Sequence, residues 1–232
     1  MFIDSEHTPL DRGILSWMCQ TFSALGIPPV VRIPSPDPFE AYKVLDGGAA
    51  GFIAPYMETA EQARQLMGVI RYRPLKGKRL QDAIRDPNTM EPELRSYLEE
   101  RNKSGLFIAN IESVPAIENL DEILSVGAVD SILIGPHDLS CSLGIPEQYT
   151  HPKFIAAVET IFRKARANNC GAGLHWWPGV HDELHWANVG GNLIMHATDI
   201  TLANLHLQDE LAEIRKKLGE SGSSTKGTME NV

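Results

Sequence analysis

The sequence predicts an α/β fold, a parallel barrel of the TIM (β/α)8 type with seven strands where a closed barrel has eight, lacking the first strand and helix. Three observations predict it. Short runs rich in Val, Ile, Leu and Phe alternate with stretches of helical period, the pattern of a parallel sheet with crossover helices. Several runs end in a polar group: Asp4, Glu6 and His7 after Met1-Phe2-Ile3, Arg32 after Pro29-Val30-Val31, Glu112 closing Leu106 to Ile111, and Asp138 after Ser131 to His137. Groups placed this way gather at the carboxyl edge of the sheet, where a β/α barrel carries its chemistry. The length, 232 residues, is close to that of one barrel.

The elements follow in order. The first strand begins at Met1, which leaves no room for a strand and helix before it. Pro9 to Leu25 is a helix with Leu10, Ile14, Trp17, Met18 and Phe22 near one stripe, and Gly26 ends it. Val30 to Ile33 is a strand, Phe39 to Leu45 a short helix, and Gly51 to Ala54 a strand. Thr59 opens a helix through Arg71, capping its free amides, with Gln62 at the reciprocal capping-box position. Arg73 to Ser104 interrupts the alternation; rich in charge and containing Pro87 and Pro92, it predicts a helical excursion over the barrel mouth. The pattern resumes with a strand over Leu106–Ile111, a helix over Val114–Val126 and a strand over Ser131–Ile134. Phe154–Ala167 is helical, Gly171–Leu174 a weak strand, Gly179–Ala187 a helix, Asn192–Met195 the last strand and Thr201–Leu218 the last helix. One domain therefore spans 1–218, and the Ser-, Gly- and Thr-rich residues 219–232 predict a disordered tail.

Composition narrows the classes. A formal net charge of -9 argues against nucleic acid and anionic membrane as partners. No apolar run approaches the roughly 20 residues of a membrane span. Cys19, Cys141 and Cys170, scattered and odd in number, make no disulfide framework and read as reduced thiols. With no basic stretch leading an apolar core at the start, a cytoplasmic location is expected.

Two acids, a His and an Arg at strand ends point to a divalent metal and an anionic substrate. Two carboxylates, with water and substrate filling the other positions, suit hard oxygen-preferring ions; zinc more often recruits His or Cys. Plainer roles exist for each residue. His7 could sit on the surface, and Glu112 and Asp138 could cap the helices that follow them. Arg32 could be an ion-pair partner, and Asn110 could bond backbone. His181 and His185 lie one helical turn apart, but no acid completes a zinc-protease pattern. With His175 they read as a solvated helix face beside Trp176, Trp177 and Trp186, which are core or subunit-contact residues. Lys76 to Arg79 is a phosphate site or a solvated loop. Cys141 has no evident base, so a nucleophilic role is set aside.

Five segments carry a resemblance: Ile3-Asp4-Ser5-Glu6-His7, Val30-Val31-Arg32-Ile33-Pro34, Ala54-Pro55-Tyr56-Met57-Glu58-Thr59-Ala60, Asn110-Ile111-Glu112 and Gly135-Pro136-His137-Asp138-Leu139-Ser140. In this order and spacing, from residue 1 to about 215, the chain resembles the HpcH/HpaI aldolase family of pyruvate- and phosphoenolpyruvate-binding barrels. The resemblance implies a metal-dependent class II aldolase that joins pyruvate to an aldehyde, or cleaves the 4-hydroxy-2-oxo acid product, through a pyruvate enolate. It implies Glu112 and Asp138 as ligands of Mg²⁺, Mn²⁺ or Co²⁺, and His7 as the base, oriented by Asp4 and acting through a bound water. Arg32 would hold the 2-oxo oxygen, and backbone amides near His137 and Asp138 the substrate carboxylate. Asn110 stands where the family has Gln, a polar contact beside the metal, and His137 where it has a small residue. A family loop of the form Tyr-Pro-Pro-x-Gly-x-Arg-Gly reads Tyr72 to Leu80 here, keeping Arg79 but replacing a glycine by Leu80. Oxaloacetate decarboxylation or acyl-CoA lyase-like activity is the alternative within the class; an inactive, truncated paralogue or scaffold subunit is the alternative outside it. The last helix, with Leu202, Leu205, Leu207, Leu211, Ile214 and Leu218, predicts a homo-oligomer, as in relatives that exchange this helix.

Overall fold

The computed structural model describes residues 1–176 and 179–219; Trp177 and the tail expected beyond Gly219 lie outside the described residues. Seven parallel strands lie side by side in chain order: β1 (Phe2–Asp4), β2 (Val30–Arg32), β3 (Gly51–Ala54), β4 (Leu106–Asn110), β5 (Ser131–Ile134), β6 (Gly171–Trp176) and β7 (Leu193–His196). The sheet is a curled half-barrel surrounded by helices, a TIM-like barrel short of one strand. The curl brings the Phe2 ring of β1 to 5.9 Å from the His175 ring of β6, although the two strands are not neighbours.

The helices are α1 (Arg12–Ala24), α2 (Pro38–Asp46), α3 (Ala60–Tyr72), α4 (Gly77–Arg85), α5 (Pro92–Asn102), α6 (Val114–Glu118), α7 (Leu120–Ser125), α8 (Pro136–Ser142), α9 (Pro152–Ala167), α10 (Val180–Val189) and α11 (Asp199–Leu218). Local chemistry sets their starts. Asp11, Asp37 and Ser113 each accept a first-turn amide with a side-chain oxygen, and Thr59 with Gln62 completes the expected capping box.

Strand alternation divides the core into two layers. Phe2, Val30, Ile53, Ile108, Leu133, Leu193 and Met195 fill the inside of the curl. Val31, Phe52, Phe107, Ile132 and Ile134 face outward and pack against the helices with Leu66, Val158 and Phe162. Phe52 and Phe107 are fully buried with rings 5.0 Å apart; burial of each such side chain is worth roughly 1.5–3 kcal/mol. The same alternation points Asp4, Arg32 and Asn110 to the inside at the carboxyl edge, two residues beyond Phe2, Val30 and Ile108.

The structure corrects several expectations. In α1 the buried residues are Leu15 and Cys19, while Ile14 and Trp17 are exposed, because α1 flanks β1, an edge strand. The Arg73–Ser104 excursion does not cover the mouth. It follows a helix, not a strand, so it starts at the opposite edge of the sheet, and Ala83, Met90 and Leu98 form a satellite core with Tyr72 beside α3. Leu80 is buried in α4 beside Gly68 of α3, and Arg79 pairs with Glu91. The helix expected over 114–126 breaks at Asn119, whose side-chain amide bonds Glu58 O. Trp176 and Trp186 are core residues in edge-to-face contact, 6.3 Å apart. His175 lies on β6 inside the curl, not on a solvated helix; its imidazole is held below the ordinary value, by burial first of all.

Candidate active site

At the carboxyl edge, Asp4 of β1 and Arg32 of β2 stand opposite one another in register. They form a two-pronged ion pair, Nε to Oδ1 at 2.9 Å and Nη2 to Oδ2 at 2.5 Å. Burial alone would raise the Asp4 carboxyl; the Arg32 hydrogen bond and charge outweigh it and hold it below the ordinary value. Glu6 Oε2 lies 3.1 Å from Arg32 Nε, but that N–H is directed at Asp4, so Oε2 is buried beside a cation without a hydrogen bond. Among the described residues Arg32 makes its hydrogen bonds through Nε and Nη2, which leaves the Nη1 donors for another group.

Glu112, two residues past the end of β4, is 4% exposed. Its Oε1 accepts the Tyr56 amide at 2.9 Å and its Oε2 accepts the Asn110 side-chain amide at 3.0 Å. Burial, then the charges of Asp138 and Glu6, push its carboxyl up to about 7 against the Tyr56 hydrogen bond and the Arg32 charge. Asp138 sits in the first turn of α8, whose N-cap, Gly135, has no side chain to offer. A Cβ built on Gly135 would lie 2.6 Å from Glu112 Oε2 and 3.3 Å from Asp138 Oδ2. Two carboxylates thus flank a gap that only a residue without a side chain leaves open.

This donor set fits a divalent cation. Glu112 and Asp138 converge, the Asp138 charge raising the cost of ionising Glu112, and the buried Asn110 Oδ1 and Glu6 Oε2 lack hydrogen-bond partners nearby. Oxygen donors of this kind match a hard ion. Among the described residues, no three or more His, Cys, Asp or Glu form a metal-binding group, so the candidate ligands are these two carboxylates.

Residues 1–202 match the HpcH/HpaI aldolase/citrate lyase family. The chain belongs to that family. The 2-keto-3-deoxy-L-rhamnonate aldolase of Escherichia coli (strain K12) is 34% identical over 235 residues, spanning 98% of this chain and 84% of the relative. The HpcH/HpaI aldolase from Desulfitobacterium hafniense DCB-2 superposes with a TM-score of 0.79 at 27% identity, over 92% of this chain and 82% of that one. The citrate synthase SbnG superposes with a TM-score of 0.80 at 28% identity, over 94% of this chain and 84% of its own. This HpcH/HpaI protein is accordingly a carbon–carbon lyase of the aldolase class, in a family whose class II members generally depend on a divalent metal. No helix among its described residues is long and apolar enough to cross a membrane.

The placement of the remaining predicted residues differs in detail. Asp4 closes on Arg32, because a guanidinium satisfies both carboxylate oxygens at once; the nearest ion-pair contact of His7 is Glu6, at 3.7 Å. Asn110 spends its amide on Glu112. The His137 side chain turns to Cys141 and Glu147, so the part of it at the α8 N-terminus is its backbone amide. Glu6 and Tyr56 are further site residues to which sequence reasoning gave no role. The Tyr56 phenol is pushed up by its hydrogen bond to Glu6, and its φ of 52° is left-handed backbone that a bulky residue seldom adopts. Their sequence signal is position alone: both stand just past a strand end. We expect Gly135→Ala in this HpcH/HpaI protein to displace Glu112 and weaken divalent-metal binding about tenfold or more, with the fold intact by circular dichroism; calorimetric titration with Mn²⁺ checks it.

Proposed function

We propose that the chain is a divalent-metal-dependent aldolase that cleaves or forms 4-hydroxy-2-oxo acids through the enolate of pyruvate. The observation that carries this reading is the pair Glu112 and Asp138 across Gly135, with the Arg32 charge acting on the same group. An ion such as Mg²⁺, Mn²⁺ or Co²⁺ held by these carboxylates would supply Lewis-acid stabilisation of developing negative charge. Arg32, fixed by Asp4, offers its Nη1 donors to the 2-oxo oxygen and cannot lose its own charge. The α8 amides at His137 and Asp138, which no side chain caps, serve the substrate carboxylate. His7, exposed beside Glu6, takes the proton from the 4-hydroxyl as the C3–C4 bond breaks. The aldehyde departs, the bonding pair passes into the enolate, and a proton delivered to C3 gives pyruvate. The 2-keto-3-deoxy acid in the name of the E. coli relative belongs to the substrate class proposed.

The test is pyruvate release from a panel of 4-hydroxy-2-oxo acids, with oxaloacetate included, in Mg²⁺, Mn²⁺ or Co²⁺ and in EDTA. Activity that survives both EDTA and His7→Ala ends the proposed mechanism.

We also propose that the chain works as a homo-oligomer through α11. None of its residues is buried against its own chain, and Ile200, Leu202, Leu205, Leu211, Ile214 and Leu218 stand exposed. Sedimentation should give a species larger than one chain, and Leu205→Glu with Leu211→Glu should return it to the monomer. A monomeric wild type at micromolar concentration refutes this assembly.

A further inference from the structure

At the amino edge of the sheet, a cavity of about 290 Å³ opens between the end of α3, the short 3-10 helix Pro87–Thr89 and α5. Its apolar wall is the satellite core: Leu98 and Met90 are 1% and 4% exposed, and Tyr72 packs against that cluster. Its polar wall is fixed in advance. The buried Asn102 ties α5 to α3, its Nδ2 donating to Arg71 O at 3.0 Å and to Arg73 O at 2.8 Å. Arg71 is committed to Asp130 at 2.6 Å and to Gly105 O, just before β4, at 2.8 Å. Lys103 is paired with Glu100 at 2.6 Å.

Arg95 is the lining cation left without a counter-charge. Its Nη2 donates to Pro87 O at 3.1 Å and to Asn88 Oδ1 at 3.4 Å, which holds the guanidinium in place. Its Nε is buried without a hydrogen-bond partner. Among the described residues, Nη1 makes no hydrogen bond and the guanidinium no ion pair, Glu99 one turn further along α5 included. The Tyr72 phenol is raised by burial first, drawn down by the Arg95 charge and raised again by Glu99, so these groups surround one space. A guanidinium keeps its charge in a protein, and a desolvated N–H without an acceptor is unfavourable until one arrives.

We propose that this cavity is a binding site for a small organic monocarboxylate, whose carboxylate accepts hydrogen bonds from Arg95 and whose apolar body lies on Met90, Leu98 and Tyr72. The charge fits one negative group: Arg71 and Lys103 are already neutralised, and Glu99 repels a more highly charged anion. The size fits a small body, since ligand pockets start at roughly 300 Å³. Gly105 immediately precedes β4 and Glu112 stands beyond its other end, so the cavity and the candidate active site lie at opposite edges of the sheet. The site holds or fails independently of the aldolase reading.

The experiment is calorimetric titration of the full chain with benzoate, in Mg²⁺ and again in EDTA. The expected result is one site per chain, with the same affinity in both buffers. Arg95→Gln should weaken binding about tenfold or more, because a charge-assisted hydrogen bond is lost, while Arg95→Lys keeps most of it. Acetate, which lacks the body, and benzyl alcohol, which lacks the charge, should each bind at least about tenfold more weakly than benzoate. Arg32→Gln should leave benzoate binding unchanged, which separates this cavity from the candidate active site. No binding at millimolar benzoate, equal affinity in wild type and Arg95→Gln, or inorganic phosphate binding as tightly as benzoate would overturn the proposal. So would binding that is lost in EDTA or in Arg32→Gln.

Discussion

Glu112→Gln is expected to lower metal-stimulated pyruvate release by about three orders of magnitude, and Asp138→Asn by a similar factor. Gln keeps the shape of Glu112 and can still accept the Tyr56 amide through Oε1. It cannot keep the negative charge, and its amide nitrogen would face the Asn110 donor that Oε2 now accepts. The loss should therefore appear as weaker metal affinity together with a lower kcat at saturating Mn²⁺. Far-ultraviolet circular dichroism should be unchanged, because the variant relieves a buried charge and removes no apolar contact. Turnover within tenfold of wild type in both variants would refute the assignment of these carboxylates as metal ligands.

The second large effect is on stability. In the metal-free chain the Glu112 carboxyl is raised from 4.5 to about 7, by burial first and then by Asp138 and Glu6. Between those values the folded state binds a proton that the unfolded chain has released. Stability is therefore full below about 4.5, falls as pH rises through 7, and levels off above it. The loss is on the order of 3 kcal/mol, a large part of the about 5–15 kcal/mol that holds a domain together. His175 acts with the opposite sign: its buried imidazole is held neutral, which favours unfolding at acid pH. The difference between wild type and Glu112→Gln isolates the carboxylate. Urea unfolding from pH 5 to 8 in EDTA should show the wild type losing stability relative to Glu112→Gln as pH rises. Saturating Mg²⁺ should restore it most at pH 8. A difference between the two proteins that does not vary with pH would contradict this account.

Much of the fold was legible because its signals are local. The strands are short apolar runs, and caps such as Thr59 with Gln62 lie within one turn of what they cap. The exceptions each have a longer-range cause. The α1 stripe misled because Ile14 and Trp17 can be judged exposed only by knowing that β1 is an edge strand. The Arg73–Ser104 excursion was assigned to the mouth because composition does not show which edge of a sheet a segment leaves from. The short helix α8 begins inside Gly135 to Ser140, where a proline at the first helical position is a start signal in its own right.

The candidate site divides the same way. The sequence by itself determined which groups stand at strand ends, and so the presence of Asp4, Arg32, Asn110, Glu112 and Asp138 along one edge, because parallel strands in chain order place their last residues together. Tertiary structure alone decided their partners: Asp4 closing on Arg32, Asn110 on Glu112, and His7 beside Glu6. It also decided that Glu112 is buried among like charges and that the His137 ring lies beside Cys141. Hydrogen bonds and charge interactions act over a few ångströms between atoms that can be 28 or 56 residues apart in the chain, as Asp4–Arg32 and Tyr56–Glu112 are. No local pattern records such distances; only the closing of the sheet creates them.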